Sequence, residues 1–260
     1  MLASTAGPTH LHADADTWAV RASAVRGEAH VRRETVCQDC FAADVRGRRC
    51  VAVAADGAGS APRSDQGSLL AAQTIVSALL APATRLTRAR ILDAMDAARA
   101  ALADEATRNN ARIDDYATTV VGVAMQGSHG IFFHLGDGLA LAFGAASEAF
   151  ALRAMSTGTP SEFANLSSFL TQRDWRSNTV FTPVRAADSL MLMTDGFSPF
   201  ALDREGRPKP RFFQPILEFM RAHPGGVAAQ GLTDMMNTPV VRKTSGDDCT
   251  LIWAGLREQA

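Results

Sequence analysis

The chain has 260 residues, 47% of them hydrophobic and 20% charged, with a formal charge of −1. That supplies enough apolar material for a buried core and excludes wholesale disorder, while the even charge excludes a broad electrostatic grip on nucleic acid or anionic membrane. No apolar run approaches the roughly 20 residues of a membrane span, and the sparse cysteines do not make a disulfide scaffold.

Residues 1–16 are small, polar and mildly acidic and read as a frayed tail. They lack the basic start and apolar stretch of a signal peptide, so a cytoplasmic chain is expected. Residues 17–256 read as one domain. Trp18 to Val25 alternates (Trp18, Val20, Ala22, Ala24) as a first strand. CVAVAA, Cys50 to Ala55, is a buried strand meeting a loop at Asp56-Gly57. A glycine- and serine-rich loop over 57–68 precedes a helix carrying Leu69, Ala72, Val76 and Leu79 on one face, closed by Pro82. A second helix follows, with Ile91, Met95, Ala98 and Leu102 facing inward. YATTVVGVAM, GIFFHLG and GLALAF then read as an antiparallel meander with Gly-Ser-His-Gly and Gly-Asp-Gly turns. Residues 155–180 read as a loop with a short covering helix. SLMLMT, Ser189 to Thr194, is another buried strand ending at Asp195-Gly196. Helices are expected at 211–222 and 226–237, and a last strand at Thr250 to Ala254. The fold class is α+β, with helices packed on sheets.

Acidic residues fall in an unusual place. Asp56, Asp137 and Asp195 each sit beside a glycine directly after an apolar strand, and Asp247-Asp248 precedes the last one. A buried carboxylate is costly unless it is paired or binds a metal, and several at strand ends would repel one another. A hard divalent cation such as magnesium or manganese removes that repulsion with oxygen ligands, and glycine lets the backbone approach it closely. Asp-Gly is also a common turn pair, so any single site reads equally as a turn.

The segments Gly27-Glu28-Ala29-His30 to Cys37-Gln38-Asp39, VAVAADGAGSAPRSDQGS, YATTVVGVA, HLGDGLALAF, EFANLSSFLT (162–171), LMLMTDGFSPF and GDDCTLIWAG follow in that order from Trp18 to Ala254. This ordered set resembles the metal-dependent protein phosphatases of the 2C type, particularly their compact bacterial branch. The resemblance implies a central β-sandwich of two antiparallel sheets flanked by helix pairs, a four-layer α-β-β-α arrangement. It also implies a site at one edge for two ions of Mn2+ or Mg2+, with a third, weaker ion in some members. By position, Asp56 resembles the bridging metal ligand and Gly57 a carbonyl ligand. Asp195 and Asp247 resemble the carboxylates completing the second metal, Asp39 the acid that holds a metal-bound water, and Asp137 a ligand of the third ion. Asp39, Asp56, Asp195 and Asp247 are thereby the implied catalytic set. The implied activity is hydrolysis of phosphoserine and phosphothreonine in proteins by a metal-activated water attacking phosphorus in line, without a covalent phosphoenzyme. The implied partners are a phosphorylated protein and an opposing bacterial kinase, with no nucleic acid and no membrane.

Departures from the family pattern matter too. Ala58 stands where eukaryotic members carry a histidine, so leaving-group protonation falls to water or another residue. Arg33 lies near the place of a phosphate-binding arginine, one residue out of the usual spacing from Asp39. Gln38 replaces an acidic residue seen in many relatives. Two rival readings stay open: a non-catalytic phosphoprotein-binding relative, and a hydrolase of small phosphoesters with the same two-metal site. Among other residues, Cys37 and Cys40 read as a coincidental pair. His134 reads as a core histidine, and His30 as ordering its loop by hydrogen bonding ahead of a direct catalytic role. Asn165 reads as fixing a loop beside the cleft.

Overall fold

A computed structural model describes residues 2–3, 9–14, 17–81, 86–144, 150–158 and 168–257. The strands β1 (Leu2–Ala3), β2 (Thr9–Asp14) and β3 (Trp18–Val25) come first, and the short α1 (Glu28–Arg32) leads to the hairpin β4 (Asp39–Arg46) and β5 (Arg49–Asp56). Two long helices, α2 (Ser64–Leu80) and α3 (Arg88–Arg108), precede β6 (Val120–Gln126), β7 (His129–Leu135), β8 (Leu139–Phe143) and β9 (Leu152–Thr157). Then follow α4 (Trp175–Asn178), β10 (Val180–Val184), β11 (Ser189–Met193), α5 (Ser198–Ala201), α6 (Pro210–Ala222), α7 (Gly225–Met236), α8 (Pro239–Ser245) and β12 (Cys249–Leu256).

The strands make two antiparallel sheets, ordered β1-β4-β5-β6-β7-β10 and β2-β3-β12-β11-β8-β9. Alternation along each central strand explains the layers. On β5, Ala52 and Ala54 enter the core between the sheets, while Val51, Val53 and Ala55 face α2 and α3 beside Ile75, Ile91 and Met95. On β11, Leu190 and Leu192 point inward, while Met191 and Met193 meet Phe213, Leu217 and Leu232 of α6 and α7. Each sheet is therefore covered on both faces, which is why its central strands read as unbroken apolar runs. The expected sandwich flanked by helix pairs is the observed fold. No helix of the described residues is long and apolar enough to cross a membrane.

Local structure departs from expectation where packing overrides composition. The helix expected from Leu69 begins at Ser64, inside the stretch read as a loop. Gly67 is there for packing, since a Cβ on it would sit 2.2 Å from the Tyr116 carbonyl oxygen. Residues 155–180 hold the end of β9, the single turn α4 and the start of β10. Asn165 lies outside the described residues. The frayed tail expected over 1–16 is corrected for two stretches, because Thr9–Asp14 pairs with β3 and Leu2–Ala3 with β4. Those outer strands otherwise leave a row of ladder groups to satisfy, and the passing chain satisfies them.

Candidate metal centre and active-site cleft

Register brings the aspartates to one end of the sandwich. Asp39, the first residue of β4, lies directly opposite Asp56, the last of β5. Asp137 sits in the turn joining β7 to β8, Asp195 follows β11, and Asp247 shortly precedes β12, whose Leu251 pairs with Met193. Side-chain oxygens of Asp56, Asp137 and Asp195 lie within 4.8 Å of one another. Two glycines allow the crowding. A Cβ on Gly57 would come within 2.8 Å of the Ser64 and Gln38 carbonyl oxygens, and Gly136 turns the chain at φ +114°.

The electrostatics of this end are those of crowded carboxylates. Burial, then the charges of Asp39, Asp195, Asp137 and Asp247, push the Asp56 carboxyl well above the usual carboxylate range. Burial and the charges of Asp137 and Asp247 raise Asp195 to about 6, although its carboxylate is within hydrogen-bond reach of Asp56 and of the Gly196 amide. Asp39, 4% exposed, is also raised well above its ordinary value, by burial first and by Asp248 second. Its Oδ2 accepts a hydrogen bond from Thr194 Oγ1 at 2.7 Å, and Thr194 Oγ1 accepts one from the Thr250 amide, so the two sheets are tied at the site.

These residues fit a divalent cation. The donor set is all oxygen, the carboxylates are close enough to share an ion, and other carboxylates are the leading charges on Asp56 and Asp195. The structure brings Asp137 into the same cluster as Asp56 and Asp195. Asp247 lies outside that cluster: it lines the cleft, groups with His30 and Asp248 within 4.8 Å, and accepts at Oδ1 from the Asp248 amide at 2.8 Å. Asp39 lies behind them, held by Thr194. A cleft of about 500 Å³ opens over this end, with Arg33, His30, Asp56, Gly57, Thr119 and Asp247 among its lining. Arg33 thus lines the same cleft as Asp56 and Asp247.

Three positions hold the site together in ways the sequence did not show. Asp248, 3% exposed, accepts from the Gly27 amide at 2.7 Å and the Gln38 amide at 2.6 Å, and Oδ1 lies 2.8 Å from His30 Nδ1. Its neighbour Asp247 masked it in sequence. Thr119 accepts at Oγ1 from the Asp56 amide, and Thr194 holds Asp39. A threonine adjoining the Asp195-Gly196 pair was the available signal for the latter. Asp248→Ala strands two amides and is expected to cost about 3 kcal/mol. Thermal unfolding should show it as a melting point lower by roughly 6–12 °C.

The cysteines stay outside the chemistry. Cys37, Cys40, Cys50 and Cys249 are free thiols, and burial pushes Cys40, Cys50 and Cys249 up to about 12, which leaves them inert at neutral pH. His134 is a core histidine, lowered to about 4 by burial, with Nδ1 at 3.4 Å from Ser156 Oγ.

A four-layer sandwich whose oxygen-donor cluster reaches, through Asp56, a cleft that Arg33 also lines is an arrangement suited to metal-dependent hydrolysis of phosphate esters. Residues 26–237 match the protein phosphatase 2C family, and the chain belongs to that family. It is by that membership a metal-dependent serine/threonine protein phosphatase. Solved structures share the fold at low identity. The structure of RsbX in complex with magnesium is 12% identical, covers 96% of this chain and 100% of its own, and superposes with a TM-score of 0.59. The catalytic domain of the serine/threonine phosphatase PstP, with two manganese ions, is 17% identical over 93% of this chain and 99% of its own, at 0.58. The phosphatase Stp1 from Staphylococcus aureus is 13% identical over 92% of this chain and 95% of its own, at 0.62. No curated protein sequence matches.

Proposed function

We propose that this chain removes phosphate from phosphoserine and phosphothreonine in a protein substrate in the bacterial cytoplasm, opposing a protein kinase, with Mn2+ or Mg2+ as its metal. Convergence of Asp137 and Asp195 on Asp56, which lines a cleft together with Arg33, carries the reading. Asp56, Asp195 and Asp247, with the Gly57 carbonyl, would hold two ions, and Asp137 a third at lower affinity. Bound there, divalent cations would offset charge on the transferring phosphoryl oxygens and make the attacking water more acidic. Asp39, held by Thr194, would orient that water by accepting a hydrogen bond. Arg33, exposed at the cleft, would bind the phosphoryl group through its fork of donors.

Phosphate release from a phosphothreonine peptide, with Mn2+, with Mg2+ and with chelator, tests the reading. Release that requires metal supports it. A folded protein that releases phosphate under no metal supports the non-catalytic alternative, and one that prefers nucleotides supports a small-phosphoester hydrolase. Arg33→Ala should raise KM for the peptide about tenfold with a smaller change in kcat, as expected when a ground-state phosphate contact is lost. Asp137→Ala should cost less than loss of Asp195 and should be recovered by raising Mn2+, which a metal titration of the rate would show.

A further inference from the structure

The cleft contains one imidazole among its described residues. His30 projects from α1 on the same side as Arg33, three residues on, and both line the cleft with Asp56 and Asp247. Its ring is held from behind. Nδ1 is sealed from solvent and lies 2.8 Å from Oδ1 of the buried Asp248, at ion-pair distance but without hydrogen-bond geometry. Asp248 is itself immobilised, because Gly27 and Gln38 donate amide hydrogen bonds to its two oxygens. The side chain keeps 12% of its surface exposed and lines the cleft. With Nδ1 turned to Asp248, Nε2 is the ring nitrogen left for the cleft.

Hydrolysis of an alkyl phosphate needs a proton at the departing oxygen, since a seryl alkoxide is a poor leaving group. Ala58, at the cleft wall, can supply none, and a guanidinium serves as a hydrogen-bond donor and not as an acid. Asp56 and Asp247 are committed to cations in the proposed site. We propose that His30, oriented by Asp248, donates a proton from Nε2 to the leaving seryl or threonyl oxygen. This rests on the phosphatase reading and adds its acid. The water oxygen forms a bond to phosphorus, and the bond from phosphorus to the ester oxygen breaks. The electron pair passes to the ester oxygen, which takes the Nε2 proton. One proton of the water stays on the phosphate, and the other, released to solvent, is replaced on His30 from solvent before the next turnover. The net change is phosphoester and water to alcohol and hydrogen phosphate. The same pairing of an imidazole with a buried carboxylate orients proton transfer in hydrolases of unrelated fold.

The test compares His30→Asn and His30→Gln with the wild type on a phosphoserine peptide and on p-nitrophenyl phosphate, whose phenolate departs without protonation. Asparagine keeps an amide toward Asp248, and glutamine reaches the cleft with a hydrogen-bond donor that cannot transfer a proton. Both variants should lose about 100-fold or more in kcat on the peptide and less than about threefold on the aryl ester. Mn2+ affinity by calorimetry and the melting point of His30→Asn should match wild type. Equal losses on both substrates, recovered peptide turnover in His30→Gln, or a fall in Mn2+ affinity matching the loss of rate would each overturn the role. A wild type inert toward both substrates would instead overturn the phosphatase reading, and this role with it.

Discussion

Asp195→Asn is expected to lose at least about 100-fold in turnover while its metal-free form melts higher than wild type, two effects of opposite sign from one substitution. The activity loss follows from replacing a carboxylate ligand with a neutral amide beside Asp56 and Asp137, whose oxygens lie within 4.8 Å. The gain in metal-free stability follows from the same proximity. Without a cation, Asp195 is held up near 6 by burial and by the charges of Asp137 and Asp247, so at neutral pH its ionised form is strained. An amide of the same shape removes that repulsion and can donate to the Asp56 carboxylate. Relief of about 1–2 kcal/mol should raise the metal-free melting point by roughly 2–8 °C. Saturating Mn2+ should stabilise wild type strongly and the variant far less, since stabilisation by a ligand follows its affinity for the folded state. Calorimetric melting of both proteins with chelator and with Mn2+, beside a phosphate-release assay, reads all three quantities. Unchanged turnover, or equal metal-induced shifts, would remove Asp195 from the site.

The layers and the acidic end were legible in the sequence for a common reason. Strands covered on both faces give unbroken runs such as CVAVAA and SLMLMT, and a charge at the end of such a run is conspicuous. The aspartates stand out because the strands before them carry so few polar groups. What stayed illegible is what distant segments do to one another. Gly67 looked like loop punctuation, but the carbonyl it accommodates belongs to Tyr116. Asp248 clamps an amide 221 positions away, and Thr194 holds a carboxylate 155 positions away. Neither pairing leaves a local pattern, because hydrogen-bond partners of buried side chains are chosen by the assembled sheets. The His30–Asp248 pair was missed as a unit for the same cause, although each residue stands in a segment the sequence reading singled out.

Metal-free protein is expected to lose stability as pH rises from about 4 through 6 and beyond, while Mn2+-loaded protein shows the reverse trend. In the unfolded chain these aspartates titrate near about 3.9. In the folded, metal-free chain burial and mutual repulsion raise Asp39 and Asp56 well above that range and Asp195 to about 6. Between the two sets of values the folded state holds protons that the unfolded state has released. Raising the pH therefore favours unfolding throughout the window, and Asp195 alone contributes on the order of 3 kcal/mol across it. A cation competes for the same oxygens and binds only their ionised forms, so its stabilisation grows as pH rises. Melting points measured in chelator and in Mn2+ should diverge steadily over about pH 5 to 7. The chelator curve of Asp195→Asn should be flatter than that of wild type, because one of the raised groups no longer titrates. A wild-type curve in chelator that climbs over this range, matched in slope by the variant, would mean that the carboxylates do not repel one another as their geometry requires. The divergence expected from mutual repulsion would then vanish, and with it the reason for a cation at this end of the sandwich.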